Sequence, residues 1–115
     1  MNKDPRIYLS DILDCIIKIE EYTEGVEKQE FLKNTIIQDA VMRRLEIIGE
    51  AIKNIPPAFR EKYAAVPWKK IAGTRDILIH SYARVELNDV WVTLNGDLPV
   101  LKGHIQKIMK NEGWG

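Results

Sequence analysis

An apolar stripe with helical spacing runs through the middle of this 115-residue chain. Its members follow one another at steps of three or four residues: Ile37, Val41, Leu45, Ile48, Ile52 and Ile55. This spacing places them all on one face of an α-helix, so the sequence predicts one long helix over about Lys28–Asn54. Long antiparallel helices are the neighbours that best cover such a stripe, which favours a helical bundle.

The remainder of the chain has the same periodicity. It predicts helices at Pro5–Tyr22 and Trp68–Tyr82, a short helical turn at Phe59–Tyr63, and a kinked or interrupted helix at Asn88–Lys110. No segment alternates between polar and apolar residues for long enough to indicate a strand. We therefore expect an all-α, up-and-down bundle of four to five helices that forms a single domain over residues 1–115.

Proline and glycine mark the predicted ends and interruptions of these helices. Pro56 and Pro57 end the long helix, because the first proline disfavours helical geometry at the residue before it. The apolar register of the last helix survives Pro99, so a break is expected at Asn95–Gly96. The C-terminal segment Glu112–Gly115 is expected to fray.

Charge and composition exclude several classes of protein. Lys plus Arg and Asp plus Glu both number 17, so the net charge is zero and a broadly basic nucleic-acid-coating protein is excluded. The apolar runs fall far short of the roughly 20 residues that cross a bilayer, and the N-terminus does not resemble a signal peptide. We expect a cytoplasmic protein with no membrane partner.

The single cysteine, Cys15, lies among apolar residues and is predicted to be buried.

One short stretch concentrates the side chains that can carry chemistry. They are Arg75, Asp76, His80 and Tyr82, with Lys69, Lys70 and Arg84 close by. On a helix, Arg75 and His80 would lie about 140° apart and could not readily serve one target from one chain. Two copies related by a two-fold axis can collect both residue types in one cleft, which gives the hypothesis of a composite site at a homodimer interface. A structural histidine and an ordinary ion pair of Arg75 are the alternatives. The two histidines of the chain, His80 and His104, are too far apart in sequence to suggest a metal site, and no cofactor is expected.

The motif resembles the signature of a known family. The pattern Arg-x4-His-x-Tyr, the segment QDAVMRRLEIIGEA and the Pro67–Trp68 pair before the motif are similar to HepT, the HEPN-type toxins that pair with a minimal nucleotidyltransferase (MNT) antitoxin. The similarity extends along nearly the whole chain. It implies a HEPN-like, all-helical symmetric homodimer and a toxin that cleaves RNA without a metal. It also implies neutralisation by the MNT partner, which transfers AMP to the motif tyrosine.

The resemblance further implies a role for each residue of the motif. Arg75 and His80 would form the nuclease centre, and Tyr82 would be the AMPylated residue, with a packed ring and a hydrogen-bonded hydroxyl as the alternative for Tyr82. The i, i+4 spacing of Asp76 and His80 adds a supporting carboxylate that orients the imidazole, with a plain pair on the helix surface as the alternative. An imidazole with a pKa near 6.5 suits general acid–base catalysis of attack by the RNA 2′-hydroxyl. Both tRNA and mRNA stay open as targets. The candidates for contacts with the RNA backbone, with a plain solvated surface as the alternative, are Lys69, Lys70 and Arg84.

Two further functions are compatible with the same sequence. The first is a catalytically inactive HEPN dimer that serves as the binding partner of a nucleotidyltransferase. The second is an inert helical dimerisation domain, which would use the apolar stripes and leave the motif without a role. The intact set of Arg75, His80 and Tyr82 favours the ribonuclease.

Overall fold

The computed structural model describes residues 4–73 and 87–115. The helices are α1 (Pro5–Thr23), α2 (Lys28–Lys33), α3 (Thr35–Asn54), α4 (Pro57–Lys62), α5 (described over 68–73), α6 (Leu87–Val92) and α7 (Leu98–Asn111), with a π-helical turn at Thr93–Asp97 between the last two. Within these two ranges no residue belongs to a strand, and the predicted all-α class is confirmed. No helix in the described ranges is long and apolar enough to cross a membrane.

The core lies between α1, α3 and α7. Tyr8 near the start of α1 lines a small cavity together with Asn54 at the end of α3, whereas Tyr22 near the end of α1 is hydrogen-bonded to Arg44. The two helices are therefore antiparallel. The apolar stripe of α3 is buried as predicted, from Val41 to Ile55, and α7 contributes its own stripe to the same core cluster.

The predicted long helix over Lys28–Asn54 is wrong in one respect, because Asn34 divides it into α2 and α3. The backbone of Asn34 is extended (φ −99°, ψ 96°), and its side chain accepts a hydrogen bond from the Ile37 backbone N–H at 3.1 Å. Asparagine is a preferred residue at helix N-termini for this reason. The division lets α2 pack Phe31 fully into the core, with its ring 5.3 Å from that of Trp91.

The interruption predicted at Asn95–Gly96 takes the form of a π-helical turn. The backbone N–H of Leu98 donates to the Thr93 carbonyl, five residues earlier instead of four. Pro99 then occupies the first turn of α7, where its missing N–H has little cost. The wider turn keeps both Leu94 and Leu98 buried, so the core stripe continues across it.

The expectation of a frayed C-terminal segment is wrong. Gly113 adopts a positive φ of 76°, its N–H donates to the Lys110 carbonyl, and the Trp114 N–H donates to the Met109 carbonyl. These two bonds are the Schellman motif, which satisfies the last carbonyls of a helix and usually places a glycine at this position. The chain turns back, and the Trp114 ring stacks on Phe59 of α4 at 5.9 Å.

Candidate nucleic-acid interface beside the motif segment

Most of the predicted site residues lie outside the described residues. Arg75, Asp76, His80, Tyr82 and Arg84 all fall in the segment 74–86, so their predicted roles stay predictions. Lys69 and Lys70 are described and lie on α5, whose chain leads into the motif. The described part of the site is therefore the support and the surface that immediately precede the motif.

Trp68 anchors the start of α5 in the core. Its side chain is 6% exposed, and its indole Nε1–H donates to the Tyr63 carbonyl at 3.1 Å. Ile71 and Ala72, on the same helix, are also buried. The start of α5 is thus held in place by one hydrogen bond from the Trp68 indole and by apolar packing.

Polar residues at the end of α7 form hydrogen bonds with the side chain of Tyr63, whose carbonyl accepts the bond from Trp68. Glu112 accepts hydrogen bonds from Lys62 Nζ at 2.7 Å and from the Tyr63 hydroxyl, and Asn111 donates to the same hydroxyl at 2.7 Å. The hydrogen bond from Lys62, followed by that from Tyr63, lowers the pKa of Glu112, and the hydrogen bond to Glu112 raises the pKa of Lys62. The C-terminal turn, Tyr63 and Trp68 are therefore linked by successive contacts that end at α5.

The two predicted lysines differ in their surroundings. Lys70 forms an ion pair with Asp97 of the π-helical turn at 3.2 Å, although 68% of its side chain stays exposed. Lys69 is exposed beside it. Both line a groove of about 690 Å³ between α4 and α5, here called the α4–α5 groove, whose wall includes Arg60, Glu61, Val66, Trp68, Lys69 and Lys70. The structure thus places the two lysines and Arg60, which the sequence analysis did not single out, in the lining of one groove.

The described residues hold no cluster of metal-ligating side chains. In residues 4–73 and 87–115, no three His, Cys, Asp or Glu side chains come together in a way that could hold a metal ion. His104 lies on α7 and lines a cavity beside Tyr63. Cys15 is buried as predicted, and burial raises the pKa of its thiol against the opposing effect of a hydrogen bond with Arg44.

Sequence reasoning missed three residues that shape this region. Arg60 belongs to a short helix whose exposure could not be deduced from periodicity. Tyr63 matters through its backbone carbonyl and hydroxyl, for which no sequence signal exists. Glu112 had an indirect signal, since Gly113 after a helical stretch is typical of the turn that brings the chain back.

The fold and the motif together define the class of the protein. It is a small all-α bundle in which a basic groove precedes an Arg-x4-His-x-Tyr motif. The family described as ribonuclease HepT-like matches residues 12–108, a range that contains the whole motif. The chain therefore belongs to the HepT-like ribonuclease family.

Several named relatives are similar to the chain over nearly its whole length. A protein of Methanocaldococcus jannaschii, named as a gamma-glutamylcyclotransferase and candidate RNase, is 52% identical over 110 residues, which are 96% of this chain and 50% of that protein. A candidate RNase of Caldanaerobacter subterraneus subsp. tengcongensis is 44% identical over 96% of this chain and 98% of its own. The probable ribonuclease HepT of Thermococcus cleftensis is 43% identical over 96% of this chain and 100% of its own. The chain thus spans half of the first relative and nearly all of the other two. No solved structure matches the chain.

Proposed function

We propose that this protein is a metal-independent endoribonuclease that acts as the toxin of a toxin–antitoxin pair. The observation that carries this proposal is the family match over residues 12–108, which includes the complete set of Arg75, His80 and Tyr82. The names of the relatives, which describe RNases, support the same activity. The basic groove lined by α5, the helix that directly precedes the motif in the sequence, offers a surface whose charge suits RNA.

The proposed reaction is attack of an RNA 2′-hydroxyl on the adjacent phosphorus. The new 2′-oxygen–phosphorus bond forms as the bond from phosphorus to the 5′-oxygen breaks, so the products are a 2′,3′-cyclic phosphate and a 5′-hydroxyl. His80 acts as the general base on the 2′-hydroxyl or as the general acid on the leaving oxygen. Arg75 binds the phosphate and stabilises the charge that builds on its oxygens, while Asp76 orients the imidazole.

The proposed site is shared between the two subunits of a homodimer. Arg75 and His80 lie about 140° apart on an ideal helix, so one straight helix does not direct both at one phosphate. A two-fold axis beside the motif supplies both residue types twice in one cleft. Activity then requires the dimer, and the monomer is inactive.

The proposed regulation is AMPylation of Tyr82 by an MNT nucleotidyltransferase antitoxin. An attached AMP brings a negative phosphodiester and a bulky purine to within two residues of His80. The modification would fill the cleft, neutralise Arg75 and repel the phosphates of RNA. The tyrosine hydroxyl is the acceptor of the transferred group, so phenylalanine at this position removes the switch and leaves the nuclease.

The test combines cell growth with intact mass. Wild-type protein expressed alone should arrest growth, and co-expression with the cognate nucleotidyltransferase should restore growth and add mass in units of AMP at Tyr82. Tyr82→Phe should stay toxic and unmodified in both conditions, and His80→Ala should be harmless in both. Harmless wild-type protein with an unmodified mass would contradict the proposal and favour the catalytically inactive binding partner.

A further inference from the structure

We propose that the α4–α5 groove binds the phosphate backbone of the substrate RNA and that Arg60 is its RNA-positioning residue. This inference rests on the proposed ribonuclease function and extends it to residues outside the motif. The groove is lined by Lys69 and Lys70, which precede Arg75 in the sequence by six and five residues.

Arg60 has an unsatisfied donor in an unusual place. Its Nε atom is shielded from solvent and has no hydrogen-bonding partner, and no other side-chain nitrogen or oxygen of the described residues shares this condition. An arginine side chain keeps its charge at any physiological pH, so a shielded N–H without an acceptor is costly. Because the Nε atom is shielded, a phosphate oxygen becomes its acceptor only when the Arg60 side chain turns toward the groove, where the guanidinium group presents several donors in a geometry that matches phosphate.

The charges around Arg60 favour an anionic ligand. Lys69 and Lys70 line the same groove as Arg60, against the single carboxylate of Glu61. Part of the charge of Lys70 is already balanced by Asp97. Of the three cations that line the groove, Arg60 on α4 and Lys69 on α5 form no ion pair that is seen within the described residues. Two cations from different helices in the lining of one groove suit a polyanionic strand.

The other part of the wall is apolar and suits the sugar and base of a nucleotide. Pro57 and Ala64 are exposed and line this part of the groove, whereas Val66 and Trp68, at 4% and 6% exposed, add little surface to it. The volume of about 690 Å³ exceeds what a lone phosphate needs. A phosphodiester strand combines regularly spaced anions with apolar surfaces, and α5, which lines the groove, directly precedes the motif in the sequence. These features favour RNA over an acidic protein surface as the occupant.

The experiment uses the full chain and a single-stranded 2′-O-methyl RNA of mixed sequence, which binds but lacks the attacking hydroxyl. Arg60→Gln should weaken binding about five- to tenfold and reduce the salt dependence by about 0.7 in the slope of log K against log salt, as expected for one lost phosphate contact. Arg60→Lys should restore part of the affinity. Lys18→Gln, which removes the same charge from an exposed ion pair with Glu21, should change neither quantity.

Cleavage kinetics separate this inference from the proposed function. With a cleavable RNA, Arg60→Gln should raise KM by the same factor and leave kcat within about twofold, since the residue binds the strand away from the reacting phosphate. If Arg60→Gln does not fold, Lys69→Gln replaces it with the same expected directions. Unchanged binding and KM in the folded variant would overturn the inference, as would a loss confined to binding of the nucleotidyltransferase. Wild-type protein that binds the 2′-O-methyl RNA through Arg60 but cleaves no RNA would contradict the proposed function alone.

Discussion

At the end of α7, the carboxylate of Glu112 connects the C-terminal turn to α4. It accepts hydrogen bonds from both Lys62 and Tyr63, and the Tyr63 carbonyl accepts one from Trp68. The pKa of Glu112 is lowered, so its contribution to stability is complete above the ordinary pKa of a carboxyl group. That contribution is lost as the pH falls through the lowered value. Lys62, whose pKa is raised, loses its contribution only as the pH rises through that raised value.

Glu112→Gln should therefore destabilise the protein at neutral pH, and this effect should diminish as the pH falls below the ordinary carboxyl pKa. The free energy of unfolding in urea is measured for both proteins at pH 7 and at about pH 3, below the ordinary carboxyl pKa of about 4.3. The difference between the two proteins should be smaller at the lower pH than at pH 7. Glu61→Gln, which removes an exposed carboxylate from α4, is the control and should show a smaller difference at pH 7. An undiminished difference at pH 3 for Glu112→Gln would contradict the assigned role of the charge.

At the scale of the elements, apolar periodicity predicted those helices that bury a continuous stripe. The helices α1, α3 and α7 lie close to their predicted positions because each presents one apolar face to a common core. The break at Asn34 was missed because apolar residues continue on both sides of it, and the cap depends on one side-chain hydrogen bond. The folded C-terminal turn was missed because an exposed-looking Gly-Trp-Gly end gained its order from a contact with distant Phe59.

Alanine substitutions at two glycines should change the stability of the protein in opposite directions. Gly103 lies inside α7, where an added Cβ would meet nothing within 4 Å, so Gly103→Ala should raise the free energy of unfolding by about 0.5–1 kcal/mol. Gly25, which follows α1, has a φ of 72°, so Gly25→Ala should lower the free energy of unfolding by about 1 kcal/mol. Urea denaturation of both variants measures the two changes. A loss of stability in Gly103→Ala would mean that another surface covers this face of α7.

For the whole molecule, most residues of the candidate site were proposed from the sequence, and the fold added the groove beside α5. Residue types and the family resemblance singled out Arg75, His80 and Tyr82, which lie within the matched range, and their roles stay predictions. The proposed role of Arg60 could not be predicted in this way, because it rests on the groove that α4 and α5 line together. The apolar pattern of a single chain determines its own core. It does not determine which charged groups of two copies meet, so the composite site stays a proposal.

The most direct measurement of the central claim is cleavage of RNA by the purified protein in EDTA, with the ends of the products identified by mass spectrometry. The wild-type protein should give 2′,3′-cyclic phosphate and 5′-hydroxyl ends at a rate that EDTA does not change, and DNA of the same sequence should stay intact. His80→Ala should lower the rate by about 10²–10⁴-fold. Absence of cleavage, loss of cleavage in EDTA, or products with 3′-hydroxyl and 5′-phosphate ends would contradict a metal-independent ribonuclease that uses the 2′-hydroxyl.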